Sequence, residues 1–176
     1  GIGTSDLTIF SGWLHEEDLP RLQGVHLTYE PPNIGSIVTC FGYPNTPLPT
    51  KSEKGIHIRL KGMTTQGRVT RVFPHQRDSG SICFPSFEIV GRFDSGMSGG
   101  PVFNDDGALC GIISASSAPS IDDPDGEYIS YAALLWPMLG REIAVDDVDT
   151  PIYELVDRGW IKFVTGRERF DEKSQT

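Results

Sequence analysis

Cysteine is scarce, with Cys40, Cys83 and Cys110 the only three in a chain of 176 residues. An odd, small number in apolar, strand-like surroundings does not make a disulfide framework; it fits buried free thiols and a reducing compartment. None of the three sits in a turn that would present a nucleophile, which argues against cysteine chemistry. Long hydrophobic runs are also missing, and no segment nears the ~20 apolar residues of a membrane-spanning helix. Positive charge is in deficit: 15 Lys and Arg face 24 Asp and Glu, for a net charge of −9. That balance speaks against a general binder of nucleic acid or of anionic membranes. Histidine is limited to His15, His26, His57 and His75, and no His/Cys cluster has ligand spacing, so neither metal nor cofactor is implied. The opening Gly1-Ile2-Gly3 shows no Met and no basic-then-apolar leader, so the chain is expected to be processed or a fragment.

What is present reads as β-structure: short runs rich in Val, Ile, Thr and Phe, broken by Gly, Pro and Asn. Strands are expected over Asp6–Phe10, Ser36–Phe41, Gly55–Lys61, Gly67–Phe73, Cys83–Val90, Pro101–Phe103, Ala108–Ser114 and Tyr128–Ala132. Asn104-Asp105-Asp106-Gly107 is a hairpin turn signal between two of them. The period then changes. Ala133–Leu139 reads as a short helical turn, and Thr150-Pro151 as the start of a helix with Thr as its cap and Gly159 as its stop. Ile152, Leu155, Val156 and Trp160 would form that helix's packing face, and a polar tail follows from Gly166. Many short strands at regular spacing point to a barrel or sandwich.

The chemistry-bearing motif is Gly96-Met97-Ser98-Gly99-Gly100-Pro101. A serine hydroxyl attacks well only if a base takes its proton and fixed donors receive the resulting oxyanion. Glycines around it let a carbonyl approach the backbone and permit a turn that aims two N–H groups at one point. The motif also matches the G-x-S-x-G elbow of α/β-hydrolases, but there a helix and a later histidine follow the serine. Here a hairpin follows, and all four histidines precede Ser98, so that reading fails on order. A subtilisin-like order is formally available, yet those serines open a helix, which Gly99-Gly100-Pro101 does not suit.

Gly96 to Val102 resembles the G-x-S-G-G-P-hydrophobic signature of trypsin-like serine proteases. Other segments are similar to that family: Asp6-Leu7-Thr8-Ile9, Gly42-Tyr43-Pro44, Thr65-Gln66-Gly67-Arg68-Val69, Gly111 to Ser116 and Gly126-Glu127-Tyr128, with a flavour of the bacterial HtrA-like branch. The resemblance implies an all-β, chymotrypsin-like double β-barrel, represented by its second barrel and the last strand of the first, with a short C-terminal helical extension. The expected organisation is residues 1–26 as that last strand and the connector, 27–140 as the second barrel, and 141–176 as the extension. It implies a serine endopeptidase in which Ser98 is the nucleophile, Asp6 orients the histidine, and the N–H groups of Gly96 and Ser98 form the oxyanion hole. Ser114, Ala115 and Ser116 would bind the substrate backbone, and Arg92, six residues before the serine, would lie near the floor of the primary pocket. The family's histidine precedes its aspartate, so the base is expected from an N-terminal segment or chain outside this sequence. His15, His26 and His57 read as solvated or structural. Met97 stands where many members carry Asp, which argues against activation by a new N-terminus pairing with that Asp. The implied partner is a polypeptide substrate, with neither nucleic acid nor membrane. The reading from another class is a non-catalytic, protease-like module that only holds peptides.

Overall fold

In the computed structural model, Leu7 and residues 24–47, 50–52, 55–145 and 148–162 are described. The expected strand Asp6–Phe10 and the tail from Gly166 lie outside them, apart from Leu7. The strands are β1 (Ile37–Gly42), β2 (Thr50–Ser52), β3 (Gly55–His57), β4 (Met63–Phe73), β5 (Ser86–Val90), β6 (Pro101–Phe103), β7 (Leu109–Ser117), β8 (Ile129–Leu134), β9 (Glu142–Val145) and β10 (Val148–Pro151). A 3-10 turn spans Trp136–Gly140 and one α-helix, α1, spans Ile152–Asp157.

Six strands close into an antiparallel barrel in the order β1-β4-β5-β8-β7-β6, with β6 returning to β1 through Thr39↔Phe103 and Cys40↔Val102. Closure is driven by alternation: Val38, Cys40, Val69, Phe87, Ile89, Val102, Ile113, Ala132 and Leu134 point inward and make one buried cluster with Phe93, Met97 and Cys110. Residues of opposite phase face outward, and on β8 these include Tyr131 and Ala133. They pack with Ile82, Phe84, Phe73, Leu7 and Ala115 into a second cluster on the barrel's outer wall. Gly67 and Gly91 sit back to back; a Cβ on Gly91 would come within 2.9 Å of the Gly67 Cα. The fold is therefore the expected all-β barrel of the chymotrypsin-like class.

Local differences from the expectations have physical causes. β5 starts at Ser86 rather than Cys83, because Pro85 has no N–H to give a ladder; its carbonyl instead accepts from Leu134. The alternation of Gly55–Lys61 yields a strand only as far as His57, since β2 is a three-residue partner. Ala133 and Leu134 continue β8, where Ser86 and Gly111 pair with them, so the helical turn begins only at Trp136. Residues 142–151 form an unexpected β9–β10 hairpin. Thr150 belongs to β10 and its hydroxyl donates to the Val148 carbonyl; Pro151 takes the helix-capping position without a side-chain hydrogen bond. Gly159, at φ +75°, does end the helix, as expected, while Trp160 is 63% exposed rather than packed.

Candidate functional site

The serine loop is a turn whose every residue is fixed by its neighbours. Met97 drives its side chain fully into the barrel core, against Gly42 of β1, where a Cβ would come within 2.9 Å of the Met97 Cα. That anchor leaves the next residue, Ser98, exposed at the rim. Two backbone hydrogen bonds, Met97 N–H to Asp94 carbonyl (3.0 Å) and Gly100 N–H to Met97 carbonyl (2.9 Å), wind the chain into consecutive tight turns. Gly96 (φ +96°) and Gly99 (φ +81°) take left-handed conformations that glycine alone adopts readily. Gly96 also has no room for a side chain: a Cβ would stand 2.6 Å from the Tyr43 carbonyl oxygen. At Gly100 a Cβ would collide with the Phe41 carbonyl.

The loop is clamped from two sides. On the β1 side, Tyr43 N–H donates to the Gly96 carbonyl (3.3 Å) and Asn45 N–H to that of Ser95 (3.4 Å). On the β7 side, Gly99 N–H donates to Ile113 (2.7 Å) and Ile113 N–H to Gly100 (2.9 Å). The N–H groups of Met97, Gly99 and Gly100 are thus committed. Those of Gly96 and Ser98, and the Ser98 hydroxyl, make no hydrogen bond among the described residues.

Ser114 follows Ile113 directly and is the extra residue of a bulge: Ile113 opposes Ala132 while Ala115 opposes Tyr131. Ser114 and Ala115 are half-buried and Ser116 is exposed. The β6–β7 ladder ends at Pro101↔Ile112, so beyond Ser114 the β6-side edge of β7, at Ala115–Ser117, has no strand partner among the described residues. The sequence reading missed Ser130, which is fully buried and whose hydroxyl contacts that of Ser116 (2.9 Å) and donates to the Gly91 carbonyl (3.3 Å). Its position could be found only through the β7–β8 register, which no local signal in the sequence reveals.

Arg92 is brought to the same end of the barrel but is engaged. Its Nε lies 2.6 Å from Asp94 Oδ1, its guanidinium stacks 5.3 Å from the Tyr128 ring, and its side chain is 63% exposed. The hydrogen bond and charge of Asp94 hold the guanidinium even further from deprotonation than usual. Asp6 and His15 fall outside the described residues. His57 is exposed on β3, His75 is exposed after β4, and the His26 carbonyl accepts from Leu109 at the start of β7. Among the described residues no group of three His, Cys, Asp or Glu side chains could hold a metal. An open pocket of about 440 Å³ lies at the far end of the β7–β8 hairpin, lined by residues including Ser117, Asp123, Glu127 and Ile129.

Cys40, Cys83 and Cys110 are all free thiols. Burial pushes Cys40 and Cys110 up to about 12, so both are inert neutral groups of the core rather than nucleophiles. A second polar group that the sequence did not announce is Glu88, buried on the outer wall of β5. Its carboxylate accepts from Thr70 (2.9 Å) and Tyr131 (3.1 Å), with Arg71 at 3.7 Å.

The chain was then compared with known proteins. In solved structures it is similar to the Rv3671c protease of M. tuberculosis. The active form gives 19% identity and a TM-score of 0.44 over 66% of this chain and 45% of that one. An inactive form gives 16% identity and a TM-score of 0.44 over 64% and 50%. The chain thus spans about half the length of these solved proteins. No curated protein matches it. A family model, however, matches residues 3–112, a stretch that includes the whole serine loop and its β7 clamp as far as Ile112: the chain belongs to the trypsin-like peptidase domain family.

Proposed function

We propose that the protein is a serine endopeptidase that hydrolyses peptide bonds through an acyl-enzyme on Ser98. The observation carrying this reading is the pattern of commitment in the serine loop: the N–H groups of Met97, Gly99 and Gly100 are bonded within the fold, while those of Gly96 and Ser98 are not. Two donors held by a rigid turn next to an exposed hydroxyl suit an oxyanion that forms only during attack.

In this mechanism an extended substrate lies along Ala115–Ser117 of β7, and its scissile carbonyl rests over Ser98. The Ser98 Oγ attacks the carbonyl carbon as a histidine, oriented by Asp6, removes its proton. The carbonyl oxygen becomes an oxyanion held by the Gly96 and Ser98 N–H groups. Collapse breaks the C–N bond, and the amine leaves with the proton carried by the histidine. Water then repeats the sequence on the ester and releases the acid. Arg92 would contact an acidic substrate side chain only by exchanging Asp94 for it, a bidentate replacement in kind.

The test is covalent labelling of the chain and of its Ser98→Ala variant by a fluorophosphonate, with and without added imidazole as a surrogate base. Labelling confined to chains that keep Ser98 is the expected result. No labelling under either condition would favour a module that holds peptides without cutting them. A peptide-library profile addresses Arg92: an acidic preference that vanishes in Arg92→Ala assigns it to the pocket, and a preference for small apolar residues removes it.

A further inference from the structure

We propose that residues 55–62 form a recognition strand that captures an extended polypeptide with alternating apolar and acidic residues. The inference takes its occupant, a substrate polypeptide, from the peptidase reading above.

The segment Gly55-Ile56-His57-Ile58-Arg59-Leu60-Lys61-Gly62 alternates apolar with basic residues. Every residue from Gly55 to Thr64 is exposed, with Ile56 at 64% and Ile58 and Leu60 at 58%. Three large aliphatic side chains left in water two residues apart form a surface that a folded chain normally covers. Residues 58–61 also make no backbone hydrogen bond among the described residues, so their N–H and C=O groups are available to a second strand.

The charge of the segment is as unusual as its apolarity. Although the chain carries −9 overall, four of its 15 Lys and Arg residues (Lys51, Lys54, Arg59 and Lys61) fall within residues 51–61, against the single acid Glu53. Arg71, Arg77, Arg92 and Arg158 each have a carboxylate within 4.0 Å; Arg59 and Lys61 have none among the described residues. Unneutralised cations favour an anionic partner.

Alternation decides which anionic partner. In an extended strand successive residues point to opposite faces, so the aliphatic and basic side chains cannot all meet one plane. A lipid surface requires both on the same side. A paired strand lies edge-on and reaches both faces, setting apolar residues beside Ile58 and Leu60 and acidic ones beside Arg59 and Lys61.

The segment is also continuous with the serine loop. A Cβ on Gly62 would lie 2.9 Å from the Phe41 ring and 3.7 Å from the Tyr43 ring, and these rings meet edge-to-face at 5.2 Å. Tyr43 is the residue whose N–H is bonded to Gly96. A polypeptide leaving Ser98 on the β1 side, away from β7, passes over Tyr43 and on to Gly62 and Leu60.

The test uses the 176-residue chain and two short fluorescein-labelled peptides, one alternating Val with Glu and the other Val with Lys, read by fluorescence anisotropy. The Val-Glu peptide should bind, the Val-Lys peptide should bind at least about tenfold more weakly, and R59E/K61E should lose about tenfold for the first, the size of two exposed charge pairs. I58D should weaken both peptides, and because its side chain is already exposed it should melt with the parent chain. Equal binding of the two peptides, no binding of either, or capture unchanged in R59E/K61E would overturn the proposal. So would partition onto vesicles of phosphatidylcholine and phosphatidylglycerol without peptide capture. Fluorophosphonate labelling of the same samples separates the two readings: labelling without capture defeats the recognition strand alone, and capture without labelling defeats hydrolysis alone.

Discussion

The serine loop and the neighbouring segment 55–62 are built on opposite principles. In the loop, Met97 is fully buried, two glycines take positive φ, and three possible side-chain sites would run into backbone or core atoms. In the segment nothing is buried and no ladder continues past His57. The first has one conformation because packing and hydrogen bonds over-determine it; the second keeps its surface open. A group that must hold two donors at one point needs the first design, whereas a group that selects a partner needs the second.

Substitutions in the two regions should therefore differ sharply. The largest effect is expected for Gly96→Ala, which adds a left-handed alanine and a 2.6 Å contact with the Tyr43 carbonyl. It should destabilise the chain by about 3 kcal/mol and abolish labelling of Ser98, as thermal melting and fluorophosphonate reactivity would report. Met97→Ala should cost a similar amount, roughly 2–4 kcal/mol, by emptying its place in the core. If it melted with the parent chain, the loop would not be anchored from below.

The buried thiols give a smaller effect that depends on pH. Burial raises Cys40 and Cys110 from 9.0 to about 12, so the folded state retains protons that the unfolded chain loses. Their contribution is fully present below pH 9 and is lost as the pH rises towards 12. Urea midpoints should fall between pH 8 and pH 10 by an amount worth about 1–3 kcal/mol, and a Cys40→Ala/Cys110→Ala chain should not show that part of the fall. Both thiols should react with a thiol reagent only after denaturation. The smallest effect belongs to the open segment: Ile58→Asp and Arg59→Glu should each shift stability by less than about 0.5 kcal/mol. A large loss there would mean that the segment is part of the fold rather than a surface presented by it.

The sequence disclosed these regions unequally for the same physical reason. Ser36–Phe41, Gly67–Phe73 and Ala108–Ser114 came within a few residues of β1, β4 and β7 because each alternates across a wall with core on one side. The serine loop was legible because its glycines are required locally. Elements fixed by distant partners were not. β9–β10 has only a weak alternation of its own, and the start of α1 is set by the Ile152 N–H reaching the Arg141 carbonyl rather than by a Thr cap. Ser130 and the Glu88 carboxylate acquire their roles from strand register, and the engagement of Arg92 depends on Tyr128 thirty-six residues away.

The bulges carry a consequence for how this chain can vary. Ser114 is one of three single-residue offsets in the barrel, with Thr70 between Val69 and Arg71 and Cys110 between Leu109 and Gly111. Each reverses which face the following residues occupy: Ile113 lies inside the barrel, and Ala115, two positions on, lies outside. Strand length is thus a parity element. Replacing Ser114 alters one side chain, but deleting it would exchange the inner and outer faces of the rest of β7, moving Ala115 off the outer wall and Ser116 off the substrate edge. Lineages of this barrel should accept many changes of letter at these three positions and almost no change of number.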